Sequence, residues 1–443
     1  MRLNPLALLV GFVIFAATLT YVLPAGRFDR RNDAATGRTV VVPGSYRSVP
    51  ASPVGPFQAA VAIPKGMVAG ASLIFLVFIA GGAFGIVERT GALRHGVEWM
   101  ADRLQKRERL VVPISCMFFA TGGVVEGMWE EIIALVPVLL VLTRRVGFDA
   151  VTAVGMSLGA AGVGAAFSPM NPFGVGIAQK FAELPLMSGW AFRVAVLVPA
   201  VTLWTAGTLR HALRTRTTPE APVSSARVVL GWRHGLTLAA LVGTFPLLAV
   251  GVLQYGWDLE QMSAVFFLMG AATGLLGGLG VRGMSDAFID GCRSMVYAAL
   301  MLGIARSIFV VLDEGRIVDT IVNALVTPLA QFPVTVFAVG VSMVQSLLAL
   351  PVPSTSGRVA LTMPIYVPLA DLLGLSRQTL VTATQYVPGM LGQLLPTDGA
   401  LMAVLTLAGV SYQQWLRFAV PLCAALMMLG LAALGVAVAL DVQ

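Results

Sequence analysis

The chain has 443 residues, 57% of them hydrophobic and 12% charged, with mean hydropathy +0.85. Soluble domains carry charge on about a quarter of their residues because their surface faces water, so the composition excludes a soluble globular protein and names the bilayer as solvent. The net charge of +7 and pI near 9.7 fit Lys and Arg gathered in cytoplasmic loops; no nucleic-acid-binding motif accompanies them, so no nucleic acid is expected as a partner.

The first apolar run, Pro5 to Pro24, has about the 20 residues of a spanning helix and is expected to be retained rather than cleaved as a signal peptide. Further spanning segments follow at 68–87, 149–182, 190–211, 235–254, 262–280, 291–312, 376–408 and 415–439, making nine. Two more apolar stretches, 110–143 and 331–373, are too long for one helix and are interrupted midway. The first breaks at Glu126-Gly127-Met128-Trp129-Glu130-Glu131, and each of its arms has only about 12–16 residues, short of a full span. Lys106, Arg107 and Arg109 precede it and Arg144 and Arg145 follow it, so both ends belong on the cytoplasmic side. A re-entrant hairpin explains lengths and charges together, and irregular backbone at that depth requires a protein or aqueous surround.

Basic segments 88–109 and 210–234 come out cytoplasmic with the N-terminus inside, whereas loop 24–66 comes out external despite six basic residues, so orientation stays open. Stretches 88–105 and 314–329 read as interfacial amphipathic helices, and Gly274 to Gly280 as close helix packing. Cys116, Cys292 and Cys423 read as small core residues, and His95, His211 and His234 have no ligand partner at metal-binding spacing.

Sliding the sequence on itself by 227 positions aligns Pro137 with Pro364, Gly147 with Gly374, Gly162 with Gly389 and Pro169 with Pro396, without a gap. The resulting organisation is repeat one at 1–212 with hairpin 110–143, a cytoplasmic linker and extra helix at 213–260, and repeat two at 261–443 with hairpin 331–373. One unmatched span between the repeats inverts the second. The expected fold is an all-α polytopic membrane protein, with about nine transmembrane helices and two re-entrant hairpins in two inverted repeats. That is the architecture of secondary transporters, with ligands held at broken helices.

Four polar interruptions are paired by the repeat: the tips Glu126–Glu131 and Pro351–Arg358, and the breaks Ser168–Phe173 and Leu395–Gly399. Proline frees carbonyls one turn back, and Pro172 stands in the first break. Half-helix ends then offer carbonyls to cations and N–H groups to anions. Ser168, Asn171, Ser354, Ser356 and Thr397 form a candidate Na⁺ set, with Thr355 as a further hydroxyl, because hard cations take oxygen ligands. Gly127, Gly357 and Gly399 allow close backbone approach. Glu126, Glu130, Glu131 and Asp398, with Arg306 and Arg358, are binding candidates, because intramembrane charge is costly and marks function. Structural alternatives pair Glu130 or Glu131 with Arg144, Arg145 or Arg358, and Arg306 with Asp313 or Glu314.

The residues that carry a family resemblance lie along nearly the whole chain. They are Tyr21-Val22-Leu23-Pro24-Ala25-Gly26 with Val42-Pro43-Gly44-Ser45-Tyr46, Gly81-Gly82-Ala83-Phe84-Gly85, Glu130-Glu131 with Pro137, and Asn171-Pro172-Phe173 with Ala178-Gln179. The second half adds Gly303-Ile304-Ala305-Arg306, Ser354 to Pro364, and Pro396-Thr397. In these the chain resembles the YfcC and C4-dicarboxylate anaerobic carrier (DcuC-type) family of the ion transporter superfamily. The resemblance implies an elevator-type carrier, with binding roles for Glu130, Asn171, Ser354, Ser356 and Thr397. Thr355 stands where relatives often have glycine, which narrows the space for a backbone-coordinated ion.

The expected function is ion-coupled symport or antiport of a small charged metabolite. Amino acids, basic ones first, rank ahead of C4-dicarboxylates because the first tip is acidic and only Arg306 and Arg358 offer cationic donors. Na⁺ or H⁺ is the expected coupling ion, with no other cofactor. The bacterial inner membrane is the expected location, and a homodimer is left open. A channel and an intramembrane enzyme using Glu130 and Glu131 are the rivals. The enzyme reading lacks a nucleophile–base or metal set, and no enzymatic activity is expected.

Overall fold

A computed structural model describes residues 5–33, 38–93, 95–96, 108–218 and 231–442. Helix α1 (Pro5–Val22) leads into four short strands, β1 (Gly26–Arg27), β2 (Arg30–Asp33), β3 (Arg38–Val41) and β4 (Arg47–Ser48). They pair antiparallel as β1–β4 and β2–β3, with Arg30 opposite Val41. Helix α2 (Pro56–Ala69) follows. The segment 24–66 is thus structured, which corrects the expectation of a purely helical chain. Its anchor lies nearly 300 residues away: Asp319 pairs with Arg30 at 2.9 Å and accepts the Phe28 N–H at 3.0 Å. No local pattern reveals such a partner.

The first half continues with α3 (Ala71–Arg89), the hairpin arms α4 (Val111–Glu126) and α5 (Ile132–Val146), and then a broken span. That span comprises α6 (Ala150–Val154), a π-helical turn at Gly155–Gly159, α7 (Ala160–Ala166), a second π-helical turn at Pro172–Gly176 and α8 (Ile177–Phe181). Helices α9 (Trp190–Arg214), α10 (Trp232–Tyr255) and α11 (Leu259–Leu276) lead to the long α12 (Val281–Glu314) and short α13 (Val318–Val326). The second hairpin is α14 (Val334–Leu348) and α15 (Thr355–Leu373). A second broken span, α16 (Arg377–Ala383), α17 (Tyr386–Gly392) and α18 (Gly399–Leu407), precedes the last helix, α19 (Tyr412–Ala439). Part of the expected interfacial stretch 88–105 lies outside the described residues. The other, 314–329, includes α13, which buries Val318, Val322 and Val326.

Among the described residues, seven helices are long and apolar enough to cross a membrane: Ala71–Arg89, Glu108–Glu126, Trp190–Arg214, Trp232–Val252, Leu259–Leu276, Val281–Glu314 and Tyr412–Ala439. One of them is the first arm of hairpin one, 19 residues with its 3₁₀ lead-in and longer than the sequence suggested. Apolar side chains such as Phe75, Phe267, Leu268 and Met428 stand exposed on helix exteriors. Helices apolar on every side suit lipid.

Small residues set the packing. A Cβ on Gly85 would lie 2.6 Å from the Ala287 carbonyl oxygen, and one on Gly291 would lie 2.8 Å from the Gly82 Cα. Helices α3 and α12 therefore meet backbone to backbone, as small-residue interfaces allow in membranes. Gly123 and Gly164 bring α4 against α7 in the same way, facing Ala161 and Ala120 main-chain atoms. Gly274, in the expected packing run, faces Met284 and Ile86. Hairpin one is thus tied directly to the first broken span, by α4 on α7.

Candidate functional site

Both hairpin tips and both breaks converge on one cavity of about 390 Å³. At the first tip α4 ends at Glu126, and Gly127 takes a left-handed conformation (φ 69°) that returns the chain toward α5. Glycine adopts that conformation without the clash a Cβ brings. The Trp129 N–H donates to a Glu131 carboxylate oxygen at 3.0 Å, which orients the start of α5. Glu126 and Glu131 are buried, and Glu126 Oε2 has no hydrogen-bond partner among the described residues.

The first break is held by Ser168. Its hydroxyl accepts from the Met170 and Asn171 N–H groups at 2.9 and 2.7 Å and donates to the Val124 carbonyl of α4 at 2.7 Å. Asn171 caps the next half-helix, its Oδ1 accepting from the N–H groups of Phe173 (2.9 Å) and Gly174 (3.2 Å), with Pro172 in the first turn. Asparagine before proline is a favoured helix start. The oxygens of Ser168 and Asn171 are therefore engaged with backbone.

At the second tip Ser354 caps α15, accepting from the Gly357 N–H at 3.2 Å, and its hydroxyl lies 3.1 Å from that of Ser356. Arg358 folds back on the turn before its helix: Nη1 donates to the carbonyls of Val352 at 2.8 Å and Pro353 at 2.9 Å. The guanidinium holds the tip together. At the second break Asp398 caps α18, accepting from the Leu401 N–H at 2.8 Å and from the Trp129 indole N–H at 3.2 Å. That indole bond joins the first tip to the second break. Thr397 is buried and its hydroxyl has no hydrogen-bond partner among the described residues.

Of the candidates from sequence, Glu126, Glu130, Glu131, Asn171, Arg306, Ser354, Thr355, Ser356, Arg358, Thr397 and Asp398 line the cavity. Ser168, Pro172 and Gly357 stand behind its wall, supporting the residues that do. Among the described residues none of the four carboxylates Glu126, Glu130, Glu131 and Asp398 forms an ion pair. Glu314 pairs instead with Lys65 at 2.5 Å, not with Arg306. Sequence reasoning missed Trp129 as a ligand to Asp398, and it missed Thr384 and Gln385, which line the cavity where the helix opens between α16 and α17. No proline or glycine at 384–385 announces that opening.

A bundle of lipid-facing helices around a polar, charge-lined cavity, built where helices are interrupted, defines a multi-pass membrane transporter. The chain belongs to the C4-dicarboxylate anaerobic carrier (DcuC) family, whose model matches residues 4–439. It is 30% identical over 468 aligned positions to the "Putative basic amino acid antiporter YfcC" of Escherichia coli K12, covering 94% of this chain and 92% of that one. It is 28% identical over 410 positions to an uncharacterized protein of Haemophilus influenzae, covering 89% and 80% of the two chains. Among solved structures, the YdaH transporter of Alcanivorax borkumensis aligns over 99% of each chain at 16% identity and a TM-score of 0.46. MtrF of Neisseria gonorrhoeae aligns over 99% of this chain and 96% of its own at 17% identity and a TM-score of 0.44.

Proposed function

We propose that this protein is a secondary active transporter of the bacterial inner membrane that moves a small amino acid, basic ones first, coupled to Na⁺ or H⁺. The observation that carries the substrate class is charge. Four carboxylates, Glu126, Glu130, Glu131 and Asp398, line the cavity against two guanidiniums, Arg306 and Arg358, and Arg358 is engaged with its own tip. A site with that excess attracts a cationic group and repels a second negative charge. The hydroxyls of Ser354, Thr355 and Ser356 at the start of α15 suit the substrate carboxylate, because a helix N-terminus favours an anion. An amino acid thus spans the cavity, its cationic end at the first tip and its carboxylate at the second.

The inverted-repeat reading of 1–212 and 261–443 draws support from the irregular points of the two broken spans. The π-helical turn at Gly155–Gly159, displaced by 227, falls on the opening at Thr384–Gln385, and the break after α7 falls on the break after α17. Repeat symmetry of this kind suits alternating access, with the hairpins carried as in an elevator. Of the Na⁺ candidates, Thr397, Ser354 and Ser356 keep hydroxyls at or beside the cavity, whereas Ser168 and Asn171 shape the break.

Purified protein in proteoliposomes is expected to accumulate labelled arginine or lysine under an imposed Na⁺ or proton gradient, and not succinate. Arg306, on α12 at the cavity and in no ion pair among the described residues, favours the second reading, a C4-dicarboxylate. Gradient-driven succinate uptake without arginine uptake establishes that reading instead.

A further inference from the structure

Arg193, near the start of α9, is 1% exposed. Its Nη1 donates to the Ser188 carbonyl oxygen at 3.3 Å, but among the described residues Nε and Nη2 have no hydrogen-bond partner. That carbonyl already accepts from Gln179 Nε2 at 3.0 Å and from Gln378 Nε2. With two lone pairs and three donors, it has no capacity left. The Tyr386 side chain opening α17 is 2% exposed and stacks on Phe167 at 4.7 Å, and its hydroxyl also has no hydrogen-bond partner among the described residues. Among the described residues Arg193 forms no ion pair, and Tyr386 lies in electrostatic reach of it. The amide oxygens of the same cluster are engaged: Gln179 Oε1 accepts from the Met187 N–H at 3.1 Å and Gln378 Oε1 from the Ser188 hydroxyl at 3.4 Å.

An arginine keeps its charge, and a buried charge left without a counter-charge is strongly destabilising. Water could accept the orphaned N–H groups but would not neutralise them. Neither Arg193 nor Tyr386 lines the substrate cavity, so a substrate carboxylate there does not reach them. We propose that Arg193 Nε and Nη2, together with the Tyr386 hydroxyl, hold a small monovalent anion, chloride in charge and size, behind the cavity wall. The site joins α9 to the second broken span one residue from Gln385, which does line the cavity. The anion therefore fixes part of the cavity wall and shields the substrate from the Arg193 charge.

The test is thermal unfolding of the full-length protein in detergent, in sodium chloride against sodium gluconate at equal sodium concentration. The melting temperature of the wild type is expected to rise with chloride and saturate. Tyr386→Phe should weaken the half-saturating chloride concentration about tenfold through loss of one hydrogen bond. Arg193→Gln should abolish the response while melting no lower than the wild type in gluconate, since the uncompensated charge is gone. In crystals grown with bromide, an anomalous peak is expected between Arg193 and Tyr386. Superimposable wild-type curves in chloride and gluconate, or a chloride response that survives in both variants, would overturn the proposal.

Discussion

Two hairpin tips meet at one cavity and use their charge in opposite ways. At the first, Glu126, Glu130 and Glu131 gather, and among the described residues they form no ion pair and one Glu126 oxygen has no hydrogen-bond partner. At the second, the single charge, on Arg358, is turned inward onto the carbonyls of Val352 and Pro353. The first tip leaves its charge facing the cavity; the second consumes its charge in holding its own shape and presents hydroxyls instead. A charged side chain beside a cavity is therefore not a ligand by position alone. What decides is whether nearby backbone already satisfies it.

Substitutions at the two tips test that contrast directly. Glu130→Gln should lower transport kcat/KM by about 100-fold or more, the loss expected when one charge of a desolvated pair is removed, with the melting temperature maintained. Normal uptake in this variant would place the substrate elsewhere. Arg358→Met should instead lower stability by about 2–4 kcal/mol, because two charge-assisted bonds to carbonyls go, read as a drop in melting temperature. A stable Arg358→Met protein that had lost only substrate affinity would reverse the roles assigned to the tips. Ser168→Ala should cost about 1–3 kcal/mol by orphaning the Met170 and Asn171 N–H groups. Its melting temperature and KM should move together, since the break shapes the cavity. The smallest effect is expected for Trp129→Phe: loss of the bond to Asp398 is worth about 1 kcal/mol, or about fivefold in KM, with stability almost unchanged. A KM equal to that of the wild type would mean the indole bond does not position Asp398 for binding.

Much of the helix arrangement was legible because a membrane protein writes its spans as apolar runs of fixed length. Proline marked two of the interruptions, at Pro169-Met170-Asn171-Pro172 and at Pro396. The opening at Thr384–Gln385 and the π-helical turn at Gly155–Gly159 were not legible, since both lie inside apolar stretches with no obligatory breaker. Helix α2 was missed because Lys65 and the basic residues before it read as loop. The fate of Arg358 was beyond sequence reasoning for another reason. Whether a guanidinium reaches a substrate or a carbonyl six residues back depends on the turn geometry, which composition does not encode. The bond from Trp129 to Asp398 spans 269 positions and is visible only once the chain has folded.

The contact between α3 and α12 makes an unusual demand on mutation. Where Gly85 and Gly291 face main-chain atoms of the opposite helix, no rotamer change can make room for even a methyl group. A saturation library would therefore show an island of intolerance along this seam, remote from the cavity. Variants there would be missing from the membrane rather than inactive within it, so their phenotype should track protein abundance and be indifferent to the choice of substrate.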